Sequence, residues 1–246
     1  MAQIRKTRNQ PIRRRNVRSG IFLTFEGIEG SGKTTQCHRL NTTLRSLGYS
    51  VLETREPGGT TYAEHIRTLL LDHQTNTHDA EQMTAECETA LVLAARSQHV
   101  THKILPALAR GTVVICDRFT DSTLAYQGYG RKLPLDTLKT MCAFVAQGLT
   151  PDLTFLFDLP VKEGLRRRQR SQDQNRLDRE SVAFHNRVRK GFLSLADQEP
   201  DRIVIMNGKE SPEQLRKTIQ HHVMDFFQNT RRRITKTRSS TPSGRA

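Results

Sequence analysis

One eight-residue motif constrains this chain more than any other feature, because it can work only between a strand and a helix. Residues 27–34 read GIEGSGKT, with an apolar run before them (21–25) and an amphipathic run after them (33–47). Glycines allow turns that point several backbone N–H groups inward, and a following helix N-terminus adds partial positive charge. The spacing G-x-x-x-x-G-K-[ST] therefore predicts a phosphate-binding loop (P-loop) in an α/β fold.

The loop and a second strand predict a nucleotide and metal site. Lys33 would contact the β- and γ-phosphates of a nucleoside triphosphate, and the Thr34 hydroxyl would ligate Mg²⁺. Asp117 ends the apolar run 113–116 and is the expected carboxylate for the same ion, while the adjacent Arg118 is placed to hold an acceptor phosphate. The predicted nucleotide-binding set is Gly27, Ile28, Glu29, Gly30, Ser31, Gly32, Lys33, Thr34 and Thr35.

Strand-like and helical runs alternate along the rest of the chain, which is typical of repeated β-α units. We predict strands over residues 21–25, 51–54, 113–116, 153–157 and 203–206. We predict helices over residues 33–47, 63–71, 86–109, 135–147, 161–170, 179–196 and 211–227. The pattern predicts a three-layer α/β P-loop fold: a five-stranded parallel sheet flanked by helices, with ligands at the carboxyl ends of the strands.

The net charge of +14 is concentrated at the two ends of the sequence. Residues 1–20 hold seven Lys and Arg without an acid, and residues 230–246 hold six without an acid, which leaves 26 basic against 25 acidic residues between them. We predict basic disordered tails over 1–20 and 230–246, around one domain over 21–229. Such tails suit weak, non-specific contact with polyanions.

Cysteine usage and hydropathy narrow the cellular setting. The four cysteines are widely spaced, with no C-x-x-C pair. No apolar run approaches the roughly 20 residues of a membrane helix. We therefore expect reduced, mostly buried thiols in a cytoplasmic protein without a membrane partner.

Four segments carry a resemblance to a known family. They read FEGIEGSGKTT (25–35), TREPGGT (54–60), DRFTDSTLAYQG (117–128) and NRLDRESVAFHNRVRKGF (175–192). The chain resembles the bacterial-type thymidylate kinases, nucleoside monophosphate kinases that make dTDP from dTMP and ATP, over residues 21–227. The resemblance implies ATP and Mg²⁺ as cofactors, dTMP as acceptor and a homodimer.

Matching positions carry the family's acceptor-binding roles to this chain. Glu29 would lie near the 3′-hydroxyl of the acceptor sugar, and Arg55 and Arg118 would grip the acceptor phosphate. Arg96 and Gln127 would hydrogen-bond the thymine edge, with Ser122 near the same base. Tyr126 would crowd the sugar 2′ position and favour deoxyribose. The implied acceptor set is Glu29, Arg55, Arg96, Arg118, Ser122, Tyr126 and Gln127.

The resemblance also implies a mobile, Arg-rich lid over about residues 166–179. One type in the family carries its catalytic arginine in the P-loop, where this chain has Gly30, so the cation is expected from the lid. The expected catalytic set is Lys33, Arg118, Arg167, Arg168 and Arg170, with the choice among the last three left open.

The chain departs from the family pattern at several positions. Val92 occupies the place of a Phe that stacks on thymine, Asn175 and Asp178 replace acidic residues of the lid, and Phe119 replaces a Tyr or His. Two alternatives therefore stay open at this stage. The chain could phosphorylate another pyrimidine monophosphate such as dUMP, or it could be a catalytically weak P-loop protein that binds nucleic acid through its tails.

Overall fold

Five parallel strands form the centre of the molecule, in the order β2-β3-β1-β4-β5. A computed structural model describes residues 20–71, 82–169 and 175–239, with side chains described as far as residue 229. The strands are β1 (Phe22–Gly27), β2 (Val51–Arg55), β3 (Val113–Asp117), β4 (Leu153–Asp158) and β5 (Ile203–Asn207). Each begins within one residue of its predicted start, and the predicted fold class is confirmed.

Helices connect the strands and cover both faces of the sheet. They are α1 (Lys33–Ser46), α2 (Thr61–Leu71), α3 (Ala85–His99), α4 (Leu105–Ala109), α5 (Thr120–Thr123), α6 (Leu135–Val145), α7 (Val161–Gln169), α8 (Val182–Gln198) and α9 (Pro212–Ser239). Two π-helical segments, Val100–Ile104 and Leu124–Gly130, and a 3₁₀ turn, Arg176–Arg179, complete the described helical structure.

The structure corrects the predicted helices in three places. The predicted helix 86–109 contains a π-helical turn, and α8 begins three residues after its predicted start because the 3₁₀ turn precedes it. Helix α9 continues to Ser239 instead of ending at 227, since no Pro or Gly interrupts residues 213–241. The helical run 120–130 was not predicted.

Alternation along the strands builds the core on both faces of the sheet. Leu23 and Phe25 of β1 pack with one side of α1 and α9, whereas Phe22 packs with the Val100–Ile104 segment and α4. A third cluster joins β4 to α8 and the Leu124–Gly130 segment. Successive side chains point to opposite faces of a strand, so the sheet packs against helices on both sides. Helices, sheet and helices are the three predicted layers.

Strand register places the predicted site residues at one edge of the sheet. Asp117 at the end of β3 lies beside Phe25 of β1 and Arg55 of β2. The P-loop leaves β1 at the same edge, as expected for the carboxyl ends of parallel strands.

The predicted tails fall largely beyond what the structure describes. Residues 1–19 and 240–246 lie outside the described residues, and α9 enters the predicted C-terminal tail. The division into one domain and two tails stays a prediction. Within the described chain, no helix combines the length and the apolar character that a membrane crossing requires.

Candidate active site

The P-loop wraps around the buried ammonium group of Lys33. Gly30 and Gly32 adopt φ of 69° and 95°, and α1 begins immediately after them. Lys33 Nζ donates to the Ile28 carbonyl at 2.7 Å and to Ser31 Oγ at 3.3 Å. Burial, followed by the charge of Arg118, lowers the pKa of Lys33 to about 8. A negatively charged ligand would therefore relieve an unfavourable buried charge here.

The predicted metal ligands meet at the end of β3. Thr34 Oγ1 donates to Asp117 Oδ2 at 2.5 Å. A hydroxyl and a carboxylate are hard oxygen donors that suit Mg²⁺, which keeps several waters and takes further ligands from phosphates. In the described part of the chain, no three His, Cys, Asp or Glu side chains cluster as metal ligands. The pair thus fits an ion that arrives with a nucleotide.

A cavity of about 650 Å³ opens beside this pair. Lys33, Thr34 and Asp117 line it, and so do all members of the predicted acceptor set: Glu29, Arg55, Arg96, Arg118, Ser122, Tyr126 and Gln127. Of the remaining predicted residues, Gly30 and Arg168 also line it. Gly27, Ile28, Ser31, Gly32, Thr35 and Arg167 do not, and Arg170 lies outside the described residues.

Arg118 is held at the centre of the site in a left-handed conformation with φ of 73°. Its guanidinium donates to the Gly27 carbonyl at 3.0 Å, to Ser122 Oγ at 3.1 Å and to Glu29 Oε1 at 3.2 Å. It also lies 5.0 Å from the centre of the Tyr126 ring. These contacts fix the orientation of the guanidinium before any ligand binds.

Glu26 of β1 holds the turn that contains Arg118. Its carboxyl group accepts from the Phe119 backbone N–H at 2.7 Å and from the Ser122 hydroxyl at 2.6 Å. The strained backbone of Arg118 is thus tied to β1 through Phe119, the next residue, and through Ser122, four residues later.

Glu29 is a buried carboxylate at the cavity wall. Tyr126 donates to its Oε1 at 2.5 Å. Burial by itself opposes ionisation of this group, but His185, Arg118 and Lys33 more than offset it and hold the pKa of Glu29 well below its usual range. Glu29 is therefore a charged hydrogen-bond acceptor throughout the working pH range.

Three guanidinium groups converge on the cavity from different elements. Arg55 ends β2 and donates to Glu64 at 2.9 Å, while Arg67 of α2 donates to the Pro57 carbonyl at 2.9 Å. Burial, followed by the nearby charge of Arg55, lowers the pKa of Arg67, and Arg118 acts in the same direction. The mutual repulsion of these cations favours binding of an anion among them.

The two predicted base readers are held by buried partners. Arg96 is 1% exposed and donates to Glu56 Oε2 at 2.7 Å and to the Phe119 carbonyl at 3.0 Å. Gln127 donates to Glu88 at 2.8 Å, which leaves its buried Oε1 without a hydrogen-bond partner among the described residues. Val92 lines the same cavity. The free amide oxygen suits a donor on a ligand.

Comparison with known proteins identifies the family. The sequence model of the family described as Thymidylate kinase matches residues 25–219. The chain belongs to the thymidylate kinase family. It is 49% identical to the thymidylate kinase of Geobacter sulfurreducens over 201 residues, which cover 79% of this chain and 92% of that protein. It is 46% identical to the thymidylate kinase of Pseudomonas putida over 201 residues, covering 82% and 93% of the two chains.

A solved structure agrees with this assignment. The crystal structure of thymidylate kinase from Ehrlichia chaffeensis is 32% identical to this chain, with a TM-score of 0.66. The match covers 83% of this chain and 98% of that one. The resemblance inferred from the sequence is thereby confirmed.

The described lid arginines differ in what they contact. Arg167 donates to Glu163 at 3.0 Å and to the Gly208 carbonyl at 3.1 Å, while Arg168 donates to Asp178 at 2.9 Å. Of these two residues, Arg168 lines the cavity. The mobility predicted for the lid stays a prediction.

Sequence reasoning assigned no role to several residues of the cavity lining, among them Arg67, Glu56, Pro57 and Leu71. Arg67 has the strongest chemistry of these. Its position on an amphipathic helix is that of an ordinary solvated arginine, so the sequence held no local signal for it. Only the fold shows that Glu64, three residues before Arg67, is the partner of Arg55, and that Arg55 and Arg67 line the same cavity.

Proposed function

We propose that the chain transfers the γ-phosphoryl group of ATP to the 5′-phosphate of dTMP, giving ADP and dTDP, with Mg²⁺ held by Thr34 and Asp117. One observation carries this proposal. A cavity joins the P-loop residues Lys33 and Thr34 to the three converging arginines, so donor and acceptor phosphates can meet in one enclosure. The family assignment supplies the identity of the acceptor.

The donor side is built by the P-loop. Its inward N–H groups and the N-terminus of α1 bind the ATP phosphates, and Lys33 turns from the Ile28 carbonyl toward them. When bound, Mg²⁺ would neutralise charge on the phosphate oxygens and help to orient them. Catalysis then depends on positioning and electrostatics, without a covalent enzyme intermediate.

The acceptor side combines phosphate binding with recognition of the nucleoside. Arg55, Arg67 and Arg118 hold the acceptor phosphate, and Glu29 accepts a hydrogen bond from the sugar 3′-hydroxyl. Tyr126 is fixed beside the sugar by its bond to Glu29. Because the buried Tyr126 ring lines the cavity here, it leaves little room for a 2′-hydroxyl and favours a deoxyribose over a ribose.

We assign the lid cation to Arg168. Of Arg167 and Arg168, the two lid arginines of the expected set that the structure describes, Arg168 is the one that lines the cavity. We expect Arg168→Met to lower kcat by about 10³-fold with little change in the KM for dTMP. Arg167→Met is the matched control, and a smaller loss of kcat is expected for it. Equal losses in both variants would contradict this assignment.

The function is tested by the rate of ADP release with separate acceptors. We expect kcat/KM to be highest for dTMP among dTMP, dUMP, dCMP, dGMP and UMP. A preference for dUMP would move the function to another pyrimidine monophosphate, an alternative that the comparisons do not favour. Absence of turnover with every acceptor would overturn the proposal.

A homodimer in the cytoplasm is proposed for the active form. Its support is the surface of α6, where Phe144 is 82% and Met141 is 40% exposed. We expect Phe144→Ser to shift sedimentation toward the monomer. Leu47→Ser, which changes another exposed apolar side chain, is the control.

Weak binding of polyanions by the terminal segments 1–20 and 230–246 is a separate proposal, and it rests on their sequence alone. Removing both segments should abolish salt-sensitive binding to a mixed-sequence oligonucleotide and spare dTMP turnover. If the shortened protein no longer phosphorylated dTMP, the predicted division into one domain and two tails would be contradicted.

A further inference from the structure

His185 on α8 is a buried polar side chain beside the P-loop carboxylate. It is 0% exposed, and its Nδ1 lies 3.5 Å from Glu29 Oε2. Neither ring nitrogen forms a hydrogen bond of acceptable geometry with the described residues, and the same holds for Glu29 Oε2. Polar groups that are sealed from water are normally paired, so two unpaired groups facing each other point to a functional contact.

His185 is the one polar side chain among the buried positions of α8. The other buried positions of the helix are Phe184, Val188, Gly191, Phe192, Leu195 and Ala196, all apolar or glycine. An apolar side chain at position 185 would continue this face without placing an unpaired polar ring in the core. The exception therefore calls for a partner, and the partner within reach is Glu29.

The two oxygens of Glu29 have different environments. Oε1 accepts from Tyr126 and from Arg118, whereas Oε2 faces His185. Burial opposes the charged form of Glu29, but the nearby His185 and Arg118 hold the pKa of Glu29 below its usual range. The Glu29 carboxylate is thus contacted by Arg118 from the turn after β3, by Tyr126 from the Leu124–Gly130 segment, and by His185 from α8.

We propose that His185 is a positioning residue, whose Nδ1–H holds the Glu29 carboxylate in the orientation that meets the sugar 3′-hydroxyl of the acceptor. This inference rests on the proposed function and extends it to α8. A movement of roughly 0.5 Å brings the contact to the usual N–H···O length. His185 acts through Glu29 and does not touch the substrate.

The test compares an acceptor that has the 3′-hydroxyl with one that lacks it. His185→Leu removes the donor, and His185→Asn keeps an N–H near the position of Nδ1. With dTMP, we expect His185→Leu to lower kcat/KM about tenfold, mainly by raising the KM for dTMP, without changing the KM for ATP. With 3′-deoxythymidine monophosphate, the same variant should stay within about twofold of wild type. His185→Asn should recover most of the loss with dTMP.

A structural control separates positioning from general damage to α8. Val188→Ala removes a buried side chain one turn away and should lower stability without changing the ratio of kcat/KM for the two acceptors. Should His185→Leu fail to fold by circular dichroism, His185→Met provides the same comparison.

The outcomes distinguish this inference from the function on which it rests. If the wild-type enzyme does not turn over dTMP, both the proposed function and this inference are overturned. Normal wild-type turnover with an equal loss on both acceptors in His185→Leu, or with no recovery in His185→Asn, overturns the inference alone and leaves His185 a packing residue.

Discussion

The stability of the fold is expected to fall between about pH 5 and pH 8 because of one buried carboxyl group, that of Glu26. Glu26 lies in the interior of β1 and is 1% exposed. Burial, followed by the nearby charge of Asp121, raises the pKa of Glu26 from 4.5 to about 8, although the Ser122 hydroxyl opposes the shift. In the unfolded chain the same carboxyl titrates near its ordinary value. The folded state therefore binds the proton more tightly.

The sign and size of the effect follow from proton linkage. Between the two pKa values the native state holds more protons than the unfolded state, so the free energy of unfolding decreases as pH rises. At roughly 1.4 kcal/mol per pH unit, a rise from 4.5 to about 8 corresponds to roughly 5 kcal/mol at most. The free-energy cost of ionising buried Glu26 is absent below the pKa of the unfolded chain and complete above the pKa of the folded state. It is comparable with the whole stability of many domains.

Glu26→Gln isolates this contribution. The amide is neutral at every pH and has the shape of the protonated acid, and its oxygen can still accept from the Phe119 N–H. Urea unfolding at pH 5, 6, 7 and 8 should show that the stability difference between variant and wild type changes by about 3–5 kcal/mol in favour of the variant. Parallel stability curves for the two proteins over this range would refute the reasoning.

Three further changes test other parts of the site. Thr34→Val removes the hydroxyl at nearly constant shape and should lower kcat by on the order of 10²-fold in a Mg²⁺ titration of initial rates, while Thr34→Ser should not. Gly30→Ala places a Cβ on a residue with φ of 69°, and this atom would lie 2.3 Å from the Gly164 carbonyl oxygen. Urea unfolding should show that the free energy of unfolding falls by at least about 2 kcal/mol. Val92→Phe restores a ring at the cavity wall and should lower the KM for dTMP roughly fivefold or more, since stacking contributes about 1–3 kcal/mol; an unchanged KM would mean that the ring does not reach the base.

The sheet was predictable because its signals are local. Each strand is a short apolar run with polar or turn-forming residues at its ends, and the P-loop defines where β1 ends and α1 begins. The rule that ligands bind at the carboxyl ends of parallel strands then placed Asp117 beside the loop. By contrast, the helical run 120–130 is rich in Thr, Ser, Gly and Tyr, and its buried polar side chains give no helical periodicity. Tertiary contacts decide its conformation.

The parts of the site that sequence reasoning missed share one physical cause. Glu26, Arg67 and His185 acquire their roles from partners on other elements. Glu26 and His185 lie inside segments that carry the family resemblance, but their sequence neighbours do not reveal those partners. Glu26 reads as a polar interruption of an apolar strand, and His185 reads as one more polar residue of an amphipathic helix. Burial gives these side chains their chemistry, because an unpaired polar group costs free energy only when water is excluded.

The P-loop and α7 are far apart in the sequence, but their contact makes a glycine in each depend on the other. A Cβ at Gly30 would lie 2.3 Å from the Gly164 carbonyl, and a Cβ at Gly164 would lie 2.6 Å from the Glu29 carbonyl. Both glycines are therefore required for α7 to lie against the loop. The same approach brings Arg168, near the C-terminal end of α7, to the cavity wall. An arginine side chain at position 30 would displace α7, so this packing is compatible with the proposed role of Arg168 and disfavours a P-loop arginine in its place.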